Sequence, residues 1–218
     1  METPLPERNK RITHWQVREQ GHELLRRNVV EAASRLLVEE GPDALTVRRI
    51  AQELECSTKI IYTMFQGKEG LADALYQEGC ERLGHMIGHI QWLPAPAAYL
   101  REVAEAYWAF ALANPSYYQV MFCGAIPNFH PSTVSILNTA TALETIVASM
   151  QQYMEQELLL RADDPVLVTK ALWAPLHGVV SLYLLGHFST LEDAKEVFER
   201  TVQALIASLV SGTSFPHS

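Results

Sequence analysis

Seven side chains stand out as a set: Thr46, Arg48, Thr58, Lys59, Tyr62, Thr63 and Lys68. They are hydroxyls and cations within a stretch of 23 residues, with no nucleophile–base pair among them. Such groups donate hydrogen bonds to phosphate oxygens and base edges, so the chemistry they suit is recognition of nucleic acid. Arginine is the commonest reader of guanine edges, and Arg48 or its neighbour Arg49 is expected to fill that role or to hold a phosphate. Tyr62 is long enough to reach a phosphate. Lys68 opens a helix, where free backbone N–H groups and the helix dipole also favour anions.

The elements that must position these residues are short helices. Thr46 is a good N-cap for a helix of about two turns, with Val47, Ile50, Ala51 and Leu54 on one apolar stripe. Glu55-Cys56 breaks that stripe. Ser57 is a second N-cap candidate, and Ile60, Ile61, Met64 and Phe65 build a second apolar face. Thr58, Lys59 and Thr63 are expected to point the other way. Two such helices across a tight turn form a helix-turn-helix, whose second helix enters the major groove of DNA. The same pattern also fits the solvated surface of an ordinary helical bundle.

The wording of the stretch narrows the choice. The run T-V-R-x-I-A-x-E-L…S-x-x-x-I-Y-x-x-F-x-x-K-E-x-L closely resembles the DNA-binding domain of the tetracycline-repressor (TetR) family. The resemblance spans about Leu24 to Leu75 and includes Val29, Ala32, Leu36, Leu37 and Gly41 of the preceding helix. It implies DNA-contact roles for Arg48, Thr58, Lys59, Tyr62 and Lys68, and a phosphate contact for Thr46. The chain departs from the family twice. Glu55 stands where glycine is frequent, which suggests a less regular turn. Lys59-Ile60 replaces a small residue and alters the groove surface.

Charge fits a two-part chain. Residues 1–68 hold 11 Lys/Arg and 10 Asp/Glu, a net of +1, whereas residues 69–218 hold 6 and 15, a net of −9. A weakly basic end on an acidic body orients the molecule on DNA, and its affinity is expected to fall steeply with salt. Apolar residues make up 48% of the 218, enough for a sizeable core. Three scattered cysteines suit a reducing compartment and match no zinc spacing. No signal-like apolar segment opens the chain and no run reaches a membrane span, so a cytoplasmic protein without membrane contact is expected. Residues 1–21, with Arg8, Lys10, Arg11 and Arg18, read either as a frayed terminus or as a basic arm touching the DNA.

Beyond the motif the periodicity stays helical throughout. Helices are expected from about His22 to Glu40, from Lys68 to Gln91, and from Pro96 to Ala113. Further helices follow over Ser116–Phe122, Thr133–Leu160, Pro165–Phe188 and Leu191–Val210. The fold class is all-α with about nine helices. The expected domains are an arm (1–21), a helix-turn-helix domain (22–68) and a larger ligand-binding and dimerisation bundle (69–218). His85 and His89 sit at i, i+4 but lack any further metal-ligand pattern. No metal, cofactor or catalytic residue is assigned.

A second resemblance lies in the bundle. Phe110–Phe122 (F-A-L-x-N-P-x-Y-Y-x-V-M-F), followed by Trp173, His177 and Gly178, looks like the TetR C-terminal type named for its W-H-G residues. That type implies a ligand pocket and a dimer made by the last two helices. Trp173 and His177 share a helix face, Gly178 permits close helix approach, and Pro175 is expected to kink the helix. Tyr107, Trp108, Tyr118, Phe122, Trp173, His177 and Tyr183 are the candidate ligand-binding residues, since aromatic bodies with polar tips suit an apolar ligand. Simple core packing is the competing explanation for each. Phe198, Val202, Leu205, Leu209, Leu172, Val179 and Leu182 form either a self-packing face or part of the monomer core. The expected function is a regulator, most simply a repressor, in which a homodimer leaves a palindromic double-stranded DNA operator when a small effector binds. A protein-interaction module and an all-α enzyme using His177 are the rivals.

Overall fold

The computed structural model describes residues 14–138, 140–159 and 164–210. Among the described residues there are ten α-helices, one short 3-10 helix and no strand. Two compact units divide at Lys68 and Glu69.

In the first unit, α1 spans His14–Glu40, α2 Val47–Glu53 and α3 Thr58–Phe65, with a 3-10 turn over Pro42–Ala44. Helix α1 therefore begins at His14 rather than His22. No proline interrupts residues 14–21, and a single Gly21 is tolerated within a helix. The basic-arm reading otherwise falls on residues 1–13, which lie outside the described residues. Val29, Ala32, Ala33, Leu36 and Leu37 of α1, Ile50 and Ala51 of α2, and Ile61 and Phe65 of α3 are buried. Gly41 ends α1 at φ 83°, a conformation that a Cβ disfavours.

The turn between α2 and α3 is regular despite its missing glycine. Cys56 N–H donates to Ala51 O at 2.9 Å and Glu55 N–H to Gln52 O at 3.3 Å. These two bonds close α2 in a Schellman motif, whose C′ residue must be left-handed. Glu55 takes that place at φ 50°. A non-glycine residue there costs about 1–2 kcal/mol. The absence of glycine thus strains the turn without reshaping it. Thr46 caps α2, its hydroxyl accepting from Arg49 N–H at 3.1 Å. Ser57 holds the N-cap position of α3 with extended backbone, yet its side chain makes no cap bond.

The second unit is a helical bundle: α4 Lys68–Gly88 (whose first residue belongs to the first unit), α5 Pro96–Ala113, α6 Pro115–Phe122 and α7 Thr133–Asn138, then α8 Thr141–Glu155, α9 Pro165–Leu184 and α10 Leu191–Val210. The single helix expected over Thr133–Leu160 is instead the pair α7 and α8, which brings the total to ten. Asp164 caps α9 by accepting from Val166 N–H at 2.9 Å, and Thr190 caps α10 through Asp193 N–H at 3.0 Å. Helix α9 ends at Leu184, before the expected Phe188, because Gly186 turns left-handed at φ 79°. It runs through Pro175 as one continuous helix.

Close packing by glycine occurs at a different place from the one expected. Around Gly178 nothing lies within 4 Å of where a Cβ would stand. At Gly79 a Cβ would meet Met121 Sδ at 2.6 Å and Tyr117 Cβ at 3.1 Å, so that glycine lets α4 approach α6. Helix α9 is also more apolar than the sequence reading allowed. It is long and apolar enough to cross a membrane by length and composition, with a mean hydropathy of 1.3, although only 28% of its apolar stretch is buried.

Candidate nucleic-acid interface and cavity

Helix α3 has eight residues, so only one narrow stripe reaches the core. Ile61 and Phe65, at i and i+4, take it. Thr58, Lys59, Tyr62 and Thr63 are all exposed, Tyr62 to 57%. Ile60, read from the sequence as core, is 39% exposed beside Lys59. The pattern of apolar types alone could not separate Ile60 from Ile61. An exposed isoleucine on a groove-facing helix offers an apolar surface to a thymine methyl. The Thr63 hydroxyl donates to Lys59 O at 2.8 Å. It is left as an acceptor, which suits a base amino group better than a phosphate. Lys68 is exposed at the first turn of α4, after Gln66 and Gly67 leave α3 with positive φ.

The structure separates the two arginines. Arg49 Nη2 lies 2.6 Å from Glu40 Oε1 and Arg49 Nη1 3.1 Å from Glu53 Oε2. Hydrogen bonding to Arg49 holds the Glu40 carboxyl below its ordinary pKa, and both carboxylates raise that of Arg49. Arg49 is thereby committed to its own domain. Arg48 is exposed, and among the described residues no ion pair or hydrogen bond engages it. A cation kept free of internal partners on a helix-turn-helix is available to DNA.

In the second unit, α4 to α10 line a half-open cavity of about 290 Å³. Tyr107, Phe122 and Trp173 line it. Most of the remaining wall is aliphatic, including Leu83 and Ile87 of α4, Val103 of α5, Leu172 and Leu176 of α9 and Ile206 of α10. These residues were legible in sequence only as helix stripes, because a cavity wall and a packed core share the same periodicity.

Four of the expected ligand residues are not in the wall. Tyr118 and His177 stand behind it in a polar chain. Trp173 Nε1–H donates to Tyr107 Oη at 3.0 Å, Tyr107 Oη lies 2.9 Å from Tyr118 Oη, and Tyr118 Oη lies 2.7 Å from His177 Nδ1. One proton arrangement satisfies every step: Trp173 to Tyr107 to Tyr118 to an unprotonated Nδ1. Burial pushes the Tyr118 phenol up to about 12 and raises Tyr107 further. Trp108 and Tyr183 serve another cluster. The Trp108 ring is 4.8 Å from Phe198 and 5.9 Å from Tyr183, clamping α5 to α9 and α10.

Burial also lowers the pKa of His177 below its ordinary 6.5. The unfolded chain then binds more protons than the folded one, so stability rises with pH in that window. The contribution is complete above about 6.5 and is lost as pH falls through the folded value. The melting temperature is therefore expected to drop between pH 7 and 5 more steeply in the native protein than in His177→Gln. Parallel melting curves for the two would contradict this role.

One wall is hung from α4 by a carboxylate. Asp73 accepts from Ser132 N–H at 3.0 Å and from Ser135 Oγ at 2.5 Å. Ser132 in turn caps α7 through Ser135 N–H at 3.0 Å, and Gln77 Nε2 donates to Ser135 Oγ at 2.8 Å. Ile136, one residue further, lines the cavity. No group of three or more metal-ligating side chains occurs among the described residues.

Comparison with known proteins decides the family. Residues 29–75 match the family model for bacterial regulatory proteins of the tetR family, and residues 100–205 match that of the tetracyclin repressor-like C-terminal domain. The chain belongs to the TetR family. It is a DNA-binding transcriptional regulator with a ligand-binding C-terminal domain. The HTH-type transcriptional regulator Rv1816 of Mycobacterium tuberculosis is 22% identical over 88% of this chain and 95% of its own. The fatty acid degradation regulator FadR of Bacillus halodurans shares the fold, with a TM-score of 0.67 at 16% identity over 88% of this chain and 97% of its own. So does a TetR variant from Acinetobacter baumannii in complex with minocycline, with a TM-score of 0.56 at 22% identity over 82% and 92%. The matched C-terminal segment of this TetR-family chain includes the whole polar chain from Tyr107 to His177.

Proposed function

We propose that this TetR-family protein is a cytoplasmic repressor. Its homodimer holds a palindromic operator and is released by a small apolar or aromatic effector in the cavity. The observation that carries the reading is helix α4. It begins at the DNA-contact candidate Lys68 and contributes Tyr76, Cys80, Leu83 and Ile87 to the cavity wall. A ligand that displaces this wall acts on the same helix that leaves the DNA-binding unit. Effector and operator then oppose each other with a coupling free energy on the order of 1–3 kcal/mol. Arg48, Thr58, Lys59, Tyr62, Thr63 and Lys68 supply contacts to DNA, and Thr46 adds a phosphate contact while capping α2. Tyr107, Phe122 and Trp173 face the effector, and Tyr118 and His177 hold Tyr107 in place. The Acinetobacter TetR variant is in complex with minocycline, which supports a small-molecule effector for this chain.

Gel retardation with duplex DNA from upstream of the protein's own coding region tests the reading. The expected result is a specific complex of two chains per site that weakens steeply as salt rises. Affinity independent of salt, or no preference over unrelated duplex, would overturn it.

A further inference from the structure

The effector's charge and hydrogen-bonding character can be read from the atoms of the cavity wall. No Asp, Glu, Lys, Arg or His lines it among the described residues. Three of the polar side chains that reach the wall are engaged with protein. Trp173 Nε1–H is given to Tyr107 Oη, Tyr107 Oη is shared with Tyr118, and Thr169 Oγ1 donates to Pro165 O at 2.8 Å. The His177 ring, behind the wall, turns Nδ1 towards Tyr118. A ligand entering here meets a wall made mostly of hydrocarbon and aromatic faces.

We propose that the cavity selects an uncharged, compact hydrocarbon-like effector held by shape and apolar burial, without a hydrogen-bonded head group. This rests on the reading of the cavity as the effector site and adds the class of molecule that site accepts. A carboxylate or ammonium taken inside the cavity would be desolvated without a counter-charge, which costs far more than apolar burial returns. Competing for Tyr107 would break the wall's own bonds and leave buried donors or acceptors unpaired. Size follows from volume. A cavity of about 290 Å³ admits at least a fused bicyclic ring.

Four bicyclic probes of matched size test this on the full chain at pH 7.5 by isothermal titration calorimetry: naphthalene, 1-naphthol, 1-naphthoate and 1-naphthylmethylammonium. Naphthalene is expected to bind saturably at one site per chain. Uncompensated charge burial predicts that both ions bind at least about 30-fold more weakly. The engagement of Trp173 and Tyr107 with each other and with Tyr118 predicts that 1-naphthol binds within about 3-fold of naphthalene. Leu205→Trp, which fills the cavity from α10, is expected to abolish naphthalene binding; Leu172→Phe, from α9, serves in its place should the first variant not fold. Tighter binding of either ion than of naphthalene overturns the uncharged class while leaving the effector site intact. A gain above about 10-fold for 1-naphthol overturns the absence of a hydrogen-bonded head. No binding by any of the four overturns the effector-site reading itself. Naphthalene binding that survives in both filled variants places the site elsewhere and overturns the proposal.

Discussion

Arg48→Ala is expected to lower affinity for the operator duplex by about two orders of magnitude or more, whereas Arg49→Ala leaves it nearly unchanged. A single well-made arginine contact in the groove is worth about 1–3 kcal/mol, and a twofold operator presents it twice. At about 1.4 kcal/mol per decade, two contacts of modest strength already remove about 100-fold. The two side chains are neighbours of the same type, so net charge changes equally in both variants. What differs is engagement. Arg49 is bonded to Glu40 and Glu53, while Arg48 is exposed and unpaired among the described residues. Arg49→Ala is therefore expected to show itself as a lower melting temperature, through loss of the links from α1 to α2. Binding isotherms at two or more salt concentrations also identify the contact. Loss of a phosphate contact reduces the salt slope by about one per half-site, and loss of a base contact leaves it unaltered. Equal losses in both variants would mean that bulk charge at this end governs affinity, and the assignment of Arg48 would fall.

The contrast between these two arginines marks where sequence reading stops. Both fall in the first turn of α2, so periodicity placed them equally well. Their difference depends on Glu40, nine residues upstream at the end of α1, and that proximity is tertiary. The helix-turn-helix itself was legible because its signals are local: Thr46 as a cap and the α2 and α3 stripes. Glu55 shows that a local signal can be absent while the geometry survives, since the Schellman bonds of Cys56 and Glu55 hold the turn. The cavity was legible only as a region. Aromatic composition pointed to the neighbourhood of Tyr107, Phe122 and Trp173, but it could not separate a residue that lines a space from one that fills it. Trp108, with its ring against Phe198, illustrates the second kind. Tyr118 and His177 act one layer back, a distinction that exists only in three dimensions.

The same limit governed the dimer face, and correcting it yields the second large effect. Phe198, Val202, Leu209 and Val179 are buried within one chain, and Leu172 and Leu205 line the cavity. Of the residues weighed for self-packing, only Leu182 is substantially exposed, at 46%. The open apolar surface lies elsewhere on α9. Leu167, Ala171, Ala174, Pro175, Gly178, Leu182 and Leu185 fall at helical spacing on one face, with Leu167 61% and Leu185 66% exposed. Small residues at its centre, with open space around Gly178, leave room for a second helix to approach. This explains why a helix apolar enough for a membrane is only 28% buried: one side faces the cavity and core, and the other is open to solvent. Leu182→Glu combined with Leu185→Glu is accordingly expected to convert a dimer into a 24.5 kDa monomer in sedimentation. Helical content should persist, because neither side chain is part of the monomer core. Operator affinity should fall by several orders of magnitude, since a lone helix-turn-helix reads only one half-site. The outcome that defeats this assignment is native protein sedimenting at 24.5 kDa under DNA-binding conditions, or a doubly substituted chain that still pairs.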